Sequence, residues 1–583
     1  MQDIESESVA NSIFICTFVG MGKLWSIIPQ EFRRPTLGVV ATILLRAILN
    51  FVGIATLIPV LLLVINSENI ASSEYLSKAY NILNLSTYQQ FAVVVCAGVV
   101  AILLLKNIAI ILLYRSERNY TFSLYKHLSE RLYRGYYNRG LGFIKQSNTA
   151  VLNRNVNVVS LIFVTGVLKP IATILGEGLL MLFIFLALLL YSPVVALIAI
   201  GLFMPIAVAF YLLMRRKLND IGERENVAQR TKGRIVAETF RGYADIEIGG
   251  AFPLSYKHFN EAMDEVIKLR KQHATIGMLP QMFTEVGLAL GLTTLIILSL
   301  SGATENLTLL LGIFAIAAVR LLPSLRTIMA SWSSIRYNRY TINTLAECTN
   351  EQLKPVMSSN ERINFNHNIE LRNIEFSFED ATTPLLKNLS LNINKGERVG
   401  IKGASGVGKT TLFNLILGLY RPTAGSIYID GEELNDSNIR QWQNSIGYVS
   451  QSVFITDGSL VENIAFGYED KEIDYNRVNE VIELANLKEF VSTLPQGIHT
   501  HIGEQGSKIS GGQRQRIGIA RALYKSADIL LFDEATSSLD NTTEESINNA
   551  ISNLANSNRS LTIVVIAHRE SSLEYCDRII MLQ

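Results

Sequence analysis

Residues Gly403 to Thr411 read GASGVGKTT, between an apolar run (Arg398 to Ile401) and a helix-like run (Leu412 to Leu419). The spacing G-x-x-x-x-G-K-[ST] is that of a strand–loop–helix whose glycines let backbone N–H groups close around phosphate oxygens. Gly403, Ser405, Gly406 and Gly408 would form this cradle, with Thr411 completing its helical side. Lys409 would reach the terminal phosphates, Thr410 would offer a hydroxyl to Mg²⁺, and the helix N-terminus would add positive dipole. Alone, the stretch speaks only of a nucleotide.

The elements that must hold this loop follow a polar linker, 336–368, marked by Pro355, Ser358 and Ser359. From 369 to 583 apolar runs alternate with helical stretches: Ile369 to Phe378, Leu389 to Ile393, Ser426 to Ile429, Ile446 to Val449, then LLFDEA and TIVVIAHR. That alternation implies an α/β core.

Residues 1–335 are of another kind. The chain has 583 residues, of which 49% are hydrophobic and only 18% charged, with a mean hydropathy of +0.26. The apolar excess lies almost wholly in this half. Runs long enough to cross a bilayer need about 20 residues, and six are present: 36–65, 89–114, 159–190, 193–214, 275–300 and 307–330. Before them, Leu24, Trp25 and Ile28 with Arg33 and Arg34 read as an amphipathic surface segment. Lysine and arginine crowd two long connections, 115–154 and 215–241, and are almost missing from the others. By the positive-inside rule, both connections and both termini face the cytoplasm. Helical patterning over Asn119 to Tyr137 and Arg215 to Arg241 extends the spans into the cytosol, with cross-pieces expected at Phe143 to Ala150 and Tyr243 to Ala251. The acidic, polar start (MQDIESES) carries no cleavable-signal pattern. Four scattered cysteines offer neither disulfide framework nor metal spacing, and a net charge of +1 gives no field for nucleic acid.

Cations inside the spans are costly and usually face a cavity. Arg46, Lys106, Arg320 and Arg326, on three different spans, fall in the inner half of the bilayer, with Asn50, Asn107 and Lys169 as further polar positions and Glu177 and Glu285 as counter-charges. One reading is a basic, inward-open cavity for a phosphate or pyrophosphate head group. The other has Lys106 and Arg326 snorkelling to the interface and Arg46 paired internally. Arg320 and Arg326 lie about 240° apart on an ideal helix, so one narrow site could not take both unless Pro323 kinks the span.

Six spans followed by this domain resemble an ATP-binding-cassette (ABC) exporter half-transporter over essentially the whole chain. The resemblance rests on Ser510-Gly-Gly-Gln513, with Ile509 where the family usually has Leu; on Ile529-Leu-Leu-Phe-Asp533 followed by Glu534; on Gln451 in GYVSQ; on Ser537-Ser-Leu-Asp540; and on His568. It implies ATP and Mg²⁺ as ligands. Asp533 and Gln451 would stand at the metal, and Glu534 would polarise the attacking water. His568 would contact the γ-phosphate, and Phe378 would stack on adenine. Ser510, Gly511, Gly512 and Gln513 would cap the ATP held by a second subunit, with Asp540 in the loop that links the two sites. GEQG (Gly503 to Gly506) would contact the cross-pieces. One chain carrying the whole set implies a homodimer in a cell inner membrane. YVSQSVFITDGSLVENIAFG and Ala318-Val-Arg-Leu-Leu-Pro-Ser324 are similar to bacterial flippases of lipid-linked oligosaccharides, although the next arginine after Arg320 comes one residue sooner here. Export of such a glycan lipid is therefore expected, with lipid A, drugs or peptides as other cargoes. An ATP-gated channel or regulator fits an intact Glu534 and His568 less well.

Overall fold

The computed structural model describes residues 22–56, 88–191, 193–300, 307–349, 361–378, 381, 383–503, 508–535, 540–557, 559–567 and 569–582. The chain forms two compact units, Met1–Arg139 with Phe143–Leu353, and Lys354–Gln583 with Gly140–Gly142.

The first unit is helical. A short helix α1 (residues 22–27) stops at Pro29, and α2 (Gln30–Ala55) follows. Next come α3 (Tyr88–Asn138), the cross-piece α4 (Gly140–Gln146) and α5 (Thr149–Leu190). Then come α6 (Pro193–Arg241), the cross-piece α7 (Tyr243–Ile248), α8 (Phe252–Leu300), α9 (Leu307–Tyr337) and α10 (Tyr340–Thr349). Among the described residues, α2, α3, α5 and α6 are long and apolar enough to cross a membrane; the fifth and sixth apolar runs lie on α8 and α9. Helices of 49 residues are about 75 Å long, against a hydrocarbon layer of about 30 Å. The helical stretches 119–137 and 215–241 are continuous parts of α3 and α6. The first cross-piece starts and ends earlier than its sequence suggests. Gly140, at φ 79°, turns the chain out of α3, and the Asn148 side chain accepts from the Ala150 amide to cap α5.

Two features fix the packing. In α5, single π-turns at Asn155–Val159 and Val164–Leu168 loosen the ladder, and serines from neighbouring helices reach in. Ser129 of α3 donates to the Val156 carbonyl at 3.0 Å, and Ser334 of α9 donates to the Gly166 carbonyl at 3.0 Å. Where α6 meets α9, a Cβ on Gly222 would lie 1.9 Å from the Tyr337 carbonyl oxygen, so only glycine permits this approach.

The second unit holds two sheets. An antiparallel sheet of order β2-β1-β4-β5 comprises β1 (Asn368–Phe376), β2 (Leu386–Asn394), β4 (Ala424–Ile429) and β5 (Glu432–Glu433). A parallel sheet of order β6-β7-β8-β3-β9 comprises β3 (Arg398–Gly403), β6 (Ile446–Val449), β7 (Ile529–Asp533), β8 (Thr562–Ile566) and β9 (Arg578–Leu582). Every residue of β7 and β8 is buried, as a parallel sheet covered on both faces requires. Between the sheets lies a core around Leu412, Phe413, Ile416 and Trp442, whose indole N–H donates to the Ile416 carbonyl at 2.7 Å. β1 ends two residues short of Phe378, and β9, which had no assignment in the sequence reading, closes the sheet beside β3.

Candidate functional site

β3 delivers the loop 403–408 to α11 (Lys409–Ile416). The helix opens at Lys409, three residues before the run read from sequence, because Gly408 takes φ 106° and turns the chain into it. A Cβ at Gly403 would stand 2.7 Å from the Leu582 carbonyl oxygen. Lys409 is buried, and its ammonium donates to the carbonyls of Gly403 and Ala404 at 2.9 and 3.0 Å. The loop thus holds its cation inside its own curve.

The ends of β6 and β7 meet this loop. The Thr410 hydroxyl donates to Asp533 Oδ1 at 3.3 Å, and the Tyr448 phenol bonds to the same carboxylate. Burial pushes the Asp533 carboxyl above the ordinary aspartate value, with Glu534 adding to the rise, while Thr410, Lys409 and Tyr448 oppose it. Burial likewise pushes the Tyr448 phenol up. A hydroxyl and a carboxylate beside a phosphate loop are hard oxygen donors of the kind Mg²⁺ takes.

Glu534 leaves β7 with φ 50°, a conformation costly for a residue with a side chain and concentrated at functional sites. Its amide donates to the Ile566 carbonyl at 2.9 Å, and Gln451 Nε2 donates to its Oε2 at 2.7 Å. The structure thus brings Lys409, Thr410, Gln451, Asp533 and Glu534 together on three strand ends of one sheet. His568, two residues past β8, lies outside the described residues, as do residues 504–507 and 536–539.

Ser510 caps a fourteen-residue helix, Gly511–Tyr524. Its hydroxyl accepts from the Gln513 amide at 3.2 Å, and the Gln513 side chain accepts from the Ser510 amide at 2.8 Å. This reciprocal box leaves Gly511 and Gly512 at a helix N-terminus suited to an anion. Asp540 caps the helix Asn541–Ser557, accepting from the Thr543 amide at 3.0 Å. Phe378 is 41% exposed and stands edge-on to Phe376 and Tyr420, with centroids 5.1 and 6.0 Å apart. At that exposure the ring is partly open to a planar ligand.

Three comparisons with known proteins bear on this site. The ABC transporter family matches residues 386–537, from β2 to just past Glu534. The chain is 32% identical over 426 residues to the ATP-dependent lipid A-core flippase of Bordetella avium, covering 72% of this chain and 71% of the relative. The chain belongs to the ABC exporter family. Another lipid A-core flippase, from Cupriavidus pinatubonensis, is 32% identical over 377 residues, covering 64% of this chain and 63% of that relative. In fold, this exporter is similar to a bacterial Atm1-family ABC exporter solved with ATP bound, with TM-score 0.74, 22% identity, and coverage of 95% of this chain and 94% of that one. Its cassette binds ATP, and as an ABC exporter it is an ATP hydrolase coupled to transport across a membrane, with the cassette in the cytoplasm.

In the membrane unit the four cations separate. Arg46 is buried, its guanidinium donating to Glu117 Oε2 at 2.7 Å and lying 4.5 Å from the Tyr114 ring centroid. Lys106 lies across Gly53, where a Cβ would be 3.0 Å from its Nζ, and Arg320 is within its electrostatic reach. Arg320 Nε is buried without a hydrogen-bond partner. Arg326 donates to the Thr284 hydroxyl of α8 at 3.5 Å. Glu177 accepts from Ser324 at 2.6 Å.

Sequence reasoning passed over Tyr448 and Glu117. Tyr448 stood inside the quoted GYVSQ, and its place one residue before the strand end was a usable signal. Glu117 had none: it sits among loop arginines, 71 positions from its partner.

Proposed function

We propose that the exporter works as a homodimer in a cell inner membrane and flips an anionic, phosphate-bearing lipid from the inner to the outer side. The observation that carries this reading is that Lys106 of α3 and Arg320 of α9 lie within electrostatic reach of each other, with no carboxylate paired to either among the described residues. Adjacent like charges at membrane depth are costly until an anion arrives, and a lipid phosphate or pyrophosphate supplies it. A lipid-linked oligosaccharide has that chemistry. So has lipid A, which the names of the relatives favour as a second reading.

In the cassette, the residues fit Mg·ATP. Thr410, Asp533 and Gln451 would hold the ion, which when bound neutralises phosphate charge. Lys409 would leave its two carbonyls for the terminal phosphates. Glu534, steered by Gln451, would orient the attacking water and accept its proton. Ser510 to Gln513 of the second copy would close the site. Binding of two nucleotides would then draw the cassettes together and switch the access of the helical units.

The test is ATPase activity in nanodiscs with added polyprenyl-pyrophosphate glycan, lipid A or a neutral drug. Stimulation by either phosphate lipid, lost in Arg320→Ala while basal activity stays, is expected. Stimulation by the neutral drug alone would overturn the reading.

A further inference from the structure

Where α1 and α2 meet α3 and α5, a groove of about 350 Å³ opens beside the cations discussed above but apart from them. Its walls are apolar: Ile28 of the α1–α2 bend, Val40 and Ile43 of α2, Leu124 of α3, Ala172 and Leu175 of α5. One polar end is set by the Thr36 hydroxyl bonded to the Tyr120 hydroxyl at 2.7 Å. Lys169, at the end of the second π-turn, lines the groove as its cation, and Thr121 and Glu117 are also at its wall. Lys169 is exposed, and no carboxylate among the described residues pairs with it; Glu117, also at the groove, is taken by Arg46. Trp25 forms part of the rim, 44% exposed, with the Arg33 guanidinium 5.6 Å from its ring centroid.

This is the composition of a lipid seat. Thr36 stands where the first span leaves the cytoplasmic interface and Lys169 about ten residues into the third, so the groove runs from head-group depth into the hydrocarbon. A tryptophan with a stacked arginine is an interfacial anchor. A lysine at that depth either snorkels to water or meets an anion. We propose that this groove binds an anionic phospholipid of the cytoplasmic leaflet, one acyl chain between Val40, Leu124 and Ala172 and the head-group phosphate on Lys169. The site is separate from the Lys106–Arg320 pair, so it is a resident or regulatory lipid site and not the transport path.

The full-length exporter is reconstituted in phosphatidylcholine nanodiscs, and brominated phosphatidylglycerol or brominated phosphatidylcholine is titrated in while tryptophan emission is followed. Trp442 is buried in the cassette and contributes a constant signal, and a Trp332→Phe background removes the other competing emitter. The wild-type exporter should be quenched at about fivefold lower phosphatidylglycerol than phosphatidylcholine, the advantage one lysine gives near a charged lipid. Lys169→Ala should abolish that preference and Lys169→Arg should keep it. Ala172→Phe, which fills the groove, should weaken quenching by both lipids. Equal quenching by the two lipids in the wild type, or a preference that survives Lys169→Ala, would overturn the proposal. Because the readout is quenching at Trp25 without ATP, and the deciding variant Lys169→Ala leaves Lys106 and Arg320 in place, its failure is distinguishable from failure of the transport reading.

Discussion

Replacing Glu117 by leucine would leave the Arg46 guanidinium without its carboxylate in a pocket where the two side chains are only 9% and 13% exposed. Removing one partner of a buried pair costs about 3–5 kcal/mol, because the remaining charge stays desolvated, whereas replacing both by apolar groups is often near neutral. The Tyr114 ring beneath Arg46 returns about 1 kcal/mol of that at most. With roughly 2 °C of midpoint per kcal/mol in a unit of this size, Glu117→Leu should melt about 5–10 °C lower in detergent. Arg46→Met/Glu117→Leu should recover most of the loss. The cycle also sorts structure from transport, since Arg46 was one of four cations that could face cargo. If Glu117 claims it, the double variant keeps lipid-stimulated ATPase while Arg320→Ala loses it. A Glu117→Leu protein as stable as the wild type, or a stable double variant that no longer responds to lipid, would refute the pairing as Arg46's role.

Glu534→Gln preserves the shape held by Gln451 but removes the base, so phosphate release should fall by at least about a hundredfold while ATP binding, read by nucleotide protection against heating, persists. Gly222→Ala should cost about 1–3 kcal/mol or more from overlap with the Tyr337 carbonyl, seen as a lower melting midpoint; an unchanged midpoint would show that α6 and α9 do not approach as described. Asp540 is held below its ordinary value of 3.8 by the Thr542 hydroxyl and then the Thr543 amide. A lowered acid contributes stability above its unfolded value and loses it as pH falls through the folded one. Wild type should therefore lose midpoint relative to Asp540→Asn on going from pH 5 to pH 3, and parallel curves would contradict the cap.

The cassette was legible because its chemistry is local. Gly403 to Thr411 carries loop, cation and hydroxyl within nine residues, and alternating apolar runs announced β3, β6, β7 and β8. The loop's real start of helix depended on the conformation of Gly408, which spacing does not encode. Four of the expected spans, on α2, α3, α5 and α6, were legible from hydropathy, since bilayer thickness sets their length. What sequence could not give was pairing at a distance: Arg46 with Glu117, or Lys106 across Gly53, each settled by how helices stack.

The two π-turns of α5 carry a consequence for how its sequence can change. Each turn stores one residue beyond the α-helical count, and each residue is worth about 100° of rotation. Ser129 and Ser334 latch the two stores in place. Removing the extra residue of either turn would return it to the α-helical count and leave Lys169 and everything beyond it facing much as before, whereas removing a residue from an α-helical stretch of the same span would swing them by about 100°. The two turns are therefore the places along the helix where a one-residue deletion can be taken up, at the cost of the serine latches, while the same deletion elsewhere re-aims every side chain beyond it.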